Sequence, residues 1–252
     1  MSAVDVVVRN GLVSWRGWKA SLVLSVLAPV MFLSAMGLGL GSLVEEGRTF
    51  GGIDYLAFFA TGMLAANSMQ NGVFGATYPI MSKIVWQRNY EAMLASPLSV
   101  REIFLGEVGW AAVALAQVAI PYFVVMALFG IFDSPMAIAA IPAAVLLGLS
   151  CCAPMLAYTA TLETDQAYTW IFRLVVTPMF LLGGTFFPIE ELPSWAQVVA
   201  HVTPVFHGVE LIRQITVYDL DVSALWHIAY LVALAVAGTV VGIRKFEKRL
   251  QP

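Results

Sequence analysis

Six stretches of this chain, each of 20 residues or more and each almost free of charge, dictate what it can become. They cover about 20–43, 55–80, 103–129, 136–162, 168–187 and 224–243. About 20 apolar residues is the length at which an α-helix crosses the hydrocarbon core of a bilayer. Inside lipid a lone segment satisfies its backbone hydrogen bonds only as a helix. The expectation is an all-α integral membrane protein with six transmembrane helices, forming a single transmembrane domain over 1–252. The composition agrees. Hydrophobic residues make up 60% of the 252 and charged residues only 12%, against about 25% charged in a soluble domain. Mean hydropathy is +0.84. A water-soluble fold of this length cannot hide so much apolar surface, and a net charge of −3 supplies no basic footprint for nucleic acid.

The basic residues orient the spans. With both termini in the cytoplasm, the inside holds Arg9, Arg16, Lys19, Lys83, Arg88, Arg101, Arg173, Arg244, Lys245, Lys248 and Arg249. The outside holds Arg48 and Arg213, so the 13 basic residues divide 11 to 2. The expected location is the cytoplasmic (plasma or inner) membrane. The first apolar stretch is long enough to span and lacks a cleavage pattern, so it reads as a retained helix rather than a secretory signal.

Several chemistries find no residues to carry them. Cys151 and Cys152 are adjacent within an apolar run, which suits small buried helix residues and excludes a disulfide framework. His201, His207 and His227 are scattered, without zinc-ligand spacing. No nucleophile elbow and no metal pair emerge, so neither a catalytic nor a metal site is expected. No G-x-x-x-x-G-K-[ST] phosphate loop occurs. Gly37, Gly39 and Gly41 lack its lysine and suit close helix approach instead. The span centres hold no Asp or Glu, which argues against a proton-driven carrier.

Three segments are neither spans nor ordinary loops. Residues 1–19 mix Val6, Val7, Trp15 and Trp18 with Asp5, Arg9 and Lys19, the pattern of a helix lying in the membrane interface. Between the second and third spans, Trp86, Tyr90, Met93, Leu94 and Pro97 fall on one helical face. This predicts an amphipathic cytoplasmic helix over 83–97, which either rests on headgroups or docks a partner. Pro97 ends it, and Ser99 with Glu102 forms a capping box for the third span. Residues 188–213 are too apolar for a solvated loop. Pro188, Pro193 and Pro204 interrupt them too often for a span. Two short re-entrant helices fit, on protected backbone at membrane depth.

Within the second span, Asn67, Gln70, Asn71, Phe74 and Tyr78 share a face. A polar stripe at that depth either hydrogen-bonds another helix, at a dimer seam for instance, or lines a substrate path. Glu163, Asp165 and Arg173 read as a solvated turn with a local ion pair. Glu107 pairs with Arg101 or Lys83. Glu210 and Arg213, three apart, pair locally or act as a gate. Phe187 reads as a packing aromatic unless it belongs to that gate.

The run from Arg88 to Ser99, with Ile103 and Gly106-Glu107, resembles the signature of ABC-2-type exporter permeases. So do Gly183-Gly-Thr-Phe-Phe-Pro188, Leu192-Pro-x-Trp195, Thr203-Pro204 and Leu211-x-x-Arg213. The likeness covers essentially the whole chain and is to the NodJ-like branch, alongside drug-resistance and polysaccharide exporters. It implies that two permeases, identical or paralogous, form one transport unit. Two copies of a separate ATP-binding subunit would carry ATP and magnesium, so this chain would bind no cofactor of its own. It implies that the 83–97 helix is a coupling helix, with Arg88, Tyr90, Glu91, Met93 and Leu94 as contacts for the ATPase. It also implies that Phe187, Glu210 and Arg213 belong to an extracytoplasmic gate above the path. The expected function is therefore that of the permease subunit of an ATP-driven exporter of an amphipathic drug, lipid or lipid-linked glycan. A gradient-driven carrier or a membrane scaffold is the alternative.

Overall fold

The computed structural model describes residues 2–36, 52–132 and 134–250. The end of the first expected span, with its three glycines, and Arg48 lie outside them. The elements formed by the described residues are all helices. α1 (Ala3–Trp15) and α2 (Trp18–Ser34) open the chain, followed by α3 (Tyr55–Gly75) and a short α4 (Tyr78–Met81). A π-helical turn (Ser82–Trp86) leads to α5 (Asn89–Leu94), then α6 (Val100–Leu128). A 3-10 turn (Pro135–Ala139) feeds α7 (Ala140–Thr159). α8 (Gln166–Ile171), a second π turn (Phe172–Val176) and α9 (Thr177–Leu182) run end to end. After a 3-10 turn (Ile189–Glu191) come α10 (Ser194–Val202), α11 (Pro204–Thr216) and α12 (Ser223–Leu250).

Among the described residues, three helices are long and apolar enough to cross a membrane: Val100–Leu128, Pro135–Thr159 and Ser223–Leu250. Leu22–Ser34 and Gln166–Leu182 are shorter apolar helices. α3 has the length for a span, at 21 residues, but the polar groups of its Asn67–Asn71 portion dilute its apolarity.

α7 is the centre of the bundle and packs against α3, α6, α11 and α12. Small residues bring the backbones together. Gly72 of α3 lies directly on the Gly148 carbonyl of α7, and a Cβ at Gly238 of α12 would sit 2.5 Å from the Pro154 ring. Cys151 and Cys152 are free thiols buried in this core. α1 docks on α6, with Val6 seated on Gly106 and Val7 on Gly109. Its other face leaves Val4, Val8, Leu12 and Trp15 exposed, the two-sided pattern of an interfacial helix.

α6 starts as its sequence dictates. The Ser99 hydroxyl accepts from the Glu102 amide at 3.2 Å, and the Ser99 amide donates to the Glu102 carboxylate at 2.8 Å. The expected helix over 83–97 is broken. Residues 82–86 wind as a π turn, Arg88 adopts a left-handed conformation (φ 49°), and only Asn89–Leu94 is α-helical. A left-handed residue cannot sit within a right-handed helix, so the segment turns at Arg88. α10 and α11, of 9 and 13 residues, reach only about 14 and 20 Å. Neither crosses a bilayer core of about 30 Å.

Candidate functional site

At the basic end of the bundle, Lys83 projects from the π turn onto Glu107 of α6. Its ammonium donates to both carboxylate oxygens, at 2.7 and 2.8 Å, and to the Asn10 side-chain oxygen of α1 at 3.2 Å. The Asn10 amide donates to Glu107 at 3.1 Å. The Glu107 side chain is 1% exposed and that of Lys83 17%. Of the two partners open to Glu107 in sequence, the structure selects Lys83. One buried carboxylate thereby joins α1, the π turn that leads to α5, and α6.

Beyond Arg88, α5 is anchored from within. Tyr90 is fully buried and its ring packs on Phe246 of α12, which packs edge-on against Phe104 of α6. Its hydroxyl has no hydrogen-bond partner among the described residues. Burial first, and the neighbouring Glu107 carboxylate second, push the phenol well above its ordinary pKa. Met93 and Leu94 are half-buried against the same core. Of the five expected contacts, therefore, Tyr90 faces the chain's own interior, and Met93 and Leu94 face it in part. The outward surface consists of Arg88, Glu91 and Ala92, with Trp86 and Gln87 just before them. Arg88 and Glu91 approach to 3.9 Å on that surface.

The stripe on α3 emerges on the side of the helix that is the less covered among the described residues. Asn71 and Phe74 are exposed and Asn67, Gln70 and Tyr78 half-buried, whereas the residues between them are mostly buried. The Asn71 amide donates to the Asn67 side chain at 2.7 Å and to its carbonyl at 2.9 Å. Tyr78 packs edge-on against Tyr168 of α8.

At the opposite end, Arg213 of α11 is 3% exposed. It donates to the Gly184 carbonyl at 2.7 Å, the Phe58 carbonyl at 3.2 Å and the Thr61 hydroxyl at 3.4 Å. Its guanidinium lies 3.7 Å from the centroid of the Phe58 ring, and Glu210 approaches to 3.6 Å. The local pair is present, but most of the guanidinium fork is spent tying α11 to α3 and to the turn after α9. Phe187 lies half-buried in that same connection. Glu163, Asp165 and Arg173 form no ion pair among the described residues.

Sequence spacing missed one cluster. His207 of α11 and His227 of α12, read as scattered, meet with their Nδ1 atoms 2.8 Å apart, and Tyr230 stacks on His207. No group of three or more His, Cys, Asp or Glu among the described residues is placed to hold a metal ion.

The comparisons with known proteins bear on these features together. Residues 5–217 match the family model for the ABC-2 type transporter. This chain belongs to the ABC-2 type transporter family. Nodulation protein J of Rhizobium meliloti (strain 1021) is 30% identical over 251 residues, covering 96% of this chain and 95% of that protein. Nodulation protein J of Rhizobium leguminosarum bv. trifolii is 33% identical over 230 residues, covering 88% and 87%. The "Probable multidrug ABC transporter permease YbhR" of Escherichia coli (strain K12) is 27% identical over 181 residues, covering 69% of this chain and 48% of that protein. The family supplies membrane subunits of ABC transporters, which work with a separate ATP-binding subunit.

Proposed function

We propose that this chain is the permease subunit of an ATP-driven exporter in the cytoplasmic membrane, with both termini inside and six spans. It pairs with a second permease, identical or paralogous, and docks on two ATP-binding subunits that hold ATP and magnesium. The observation that carries the mechanism is the two-sided build of α5. Its outer surface, with Arg88, Glu91 and Ala92, is open to a partner. Its inner side is locked through Tyr90 and Phe246 to the two longest helices, α6 and α12. A push on α5 therefore reaches both helices directly, and the π turn and left-handed Arg88 provide the pivot.

The less covered face of α3 supports the rest of the reading. A polar stripe is tolerated in a membrane where it meets another helix or a wet path, and a seam between two permeases provides both. Asn67, Gln70, Asn71, Phe74 and Tyr78 are placed at that seam. Phe187, Glu210 and Arg213 frame its outer end, with Arg213 as the fixed strut and Glu210, 29% exposed along its side chain, as the member open to cargo. The cargo is amphipathic: a drug, a lipid or a lipid-linked glycan. The printed name of one relative, a probable multidrug permease, supports the drug within that range.

Co-purification from native membranes through a tag on this chain tests the reading. A stoichiometric ATP-binding subunit is expected, and Arg88→Glu with Ala92→Trp is expected to release it while the permease stays folded. An intact chain that retains no ATPase in mild detergent refutes the exporter reading. It would bring forward the gradient-driven carrier or scaffold.

A further inference from the structure

His207 and His227 join α11 to α12 and play no part in the proposed mechanism. The two residues are 4% and 7% exposed, and their Nδ1 atoms lie 2.8 Å apart. That is hydrogen-bond distance, with room for one hydrogen between the nitrogens. One imidazole donates and the other accepts, whichever tautomers they hold. A first added proton can go to the outer nitrogen of the donor and leave the contact intact. A second must enter the contact itself, where two N–H bonds would face each other and two positive charges would meet. The closed pair therefore holds at most one charge.

The surroundings disfavour charge as well. Both histidines fall within the first five residues of their helices, where free N–H groups already present positive charge. The titratable groups around the pair are His201 of α10, Tyr230 of α12 and Cys151 of α7. Tyr230 stacks on His207, and its hydroxyl donates to the Val202 carbonyl at the end of α10. α3 and the Pro135–Ala139 turn also pack on α11 and bring no charged side chain. Glu210, one turn beyond His207, faces Arg213, with Glu190 and His201 acting on it. Burial first, and the neighbouring His227 second, hold the His207 imidazole down at about 4.

We propose that this pair is an acid-released latch between α11 and α12. With one shared hydrogen it clamps the two helices together. With both rings protonated it opens, and α11 stays held by Arg213, which reaches Gly184, Phe58 and Thr61. A histidine whose pKa is lower in the closed form than in the opened one takes up a proton on opening. Closure is therefore fully held above the ordinary histidine value of about 6.5 and is lost as pH falls toward about 4. For His207 alone this amounts to about 50-fold in the opening equilibrium between pH 7 and pH 4.5. That the latch faces the extracytoplasmic side rests on the proposed topology; the latch itself does not.

Hydrogen exchange of the full chain in detergent, read by mass spectrometry and corrected for the intrinsic pH dependence of amide exchange, tests this. Protection of peptides from 204–216 should fall at least tenfold from pH 7 to pH 4.5, while that of 140–159 in α7 changes less than twofold. His207→Gln with His227→Gln should remove the pH dependence. His201→Gln, at the exposed ring beside them, should keep it. Level protection of α11 across this range in the unmodified chain overturns the proposal, and so does an equal fall in α7; both are read even where a variant fails to fold. A fall that survives the double variant, or disappears in His201→Gln, overturns it too. In sealed right-side-out vesicles, acid outside alone should reproduce the fall in α11. A fall with acid inside alone refutes the topology of the exporter reading and leaves the latch standing.

Discussion

Removing Lys83 separates the π turn before α5 from the bundle and gives an asymmetry that can be measured. In Lys83→Met the Glu107 carboxylate, 1% exposed, keeps only the Asn10 amide as donor. It sits two turns inside α6 and cannot swing to water. Breaking a buried ion pair in this way costs about 3–5 kcal/mol. Glu107→Gln leaves the other charge behind, but Lys83 is 17% exposed on a flexible stem and can lift its ammonium outward. Its cost is accordingly about 1–3 kcal/mol, the range for an unpaired polar group. Lys83→Met with Glu107→Gln removes both charges, keeps the contact to the Asn10 amide and returns to within about 1 kcal/mol of the parent. The three variants form a cycle whose coupling exceeds about 2 kcal/mol, beyond the additivity of independent sites. Unfolding in mixed micelles by titrated dodecyl sulfate, followed by tryptophan fluorescence, reads these values. At 3 kcal/mol the folded-to-unfolded ratio falls about 150-fold. A Lys83→Met deficit under 1 kcal/mol, or a double variant as damaged as the sum of the singles, refutes the reasoning.

Five further variants are read from the same geometry by the same unfolding assay. Tyr90→Phe removes a buried hydroxyl that has no partner and should be neutral or slightly stabilising. Tyr90→Ala empties the socket against Phe246 and should cost about 3–5 kcal/mol. Arg213→Lys keeps the charge but loses the fork that reaches Gly184, Phe58 and Thr61, a loss of about 2–4 kcal/mol; a change below 1 kcal/mol would show the strut to be dispensable. Gly72→Ala drives a methyl into the Gly148 carbonyl and should cost about 1–3 kcal/mol. Gly75→Ala, one turn on with no atom within 4 Å of the new carbon, should gain about 0.5–1 kcal/mol.

What was legible in the sequence is what depends on local chemistry. The apolar runs mark α6, α7 and α12, the Ser99–Glu102 pair fixes the start of α6, and the prolines after 187 announce two short helices. Glu107 was narrowed to two partners because helix lengths place both Lys83 and Arg101 near it. Hydrophobic periodicity shows that α5 has an apolar face but not what covers that face. Here α12 covers it, so Tyr90 turns inward. The left-handed Arg88 was invisible because no glycine or asparagine stands there to signal it. The meeting of His207 and His227, 20 residues apart, is made by the crossing of α11 and α12. The reach of Arg213 to Phe58 spans 155 residues. Both are properties of packing, which spacing along one helix does not encode.

The places where the chain is held determine where it can give. Backbone contact at Gly72 and Gly148 locks α3 to α7, and the seat of Gly238 on Pro154 locks α12 to α7. Arg213 ties the first turns of α3, and Lys83 with Glu107 ties the segment that follows its last turn. Close-packed contacts of this kind shift as units or not at all. A displacement of α5 about Arg88 therefore cannot be absorbed by bending α3, α7 or α12 separately. In the transporter proposed above it reaches the face of α3 that bears Asn67, Asn71 and Phe74 and stays partly exposed among the described residues. In the proposed transporter that surface is the seam, so the stroke ends where cargo crosses.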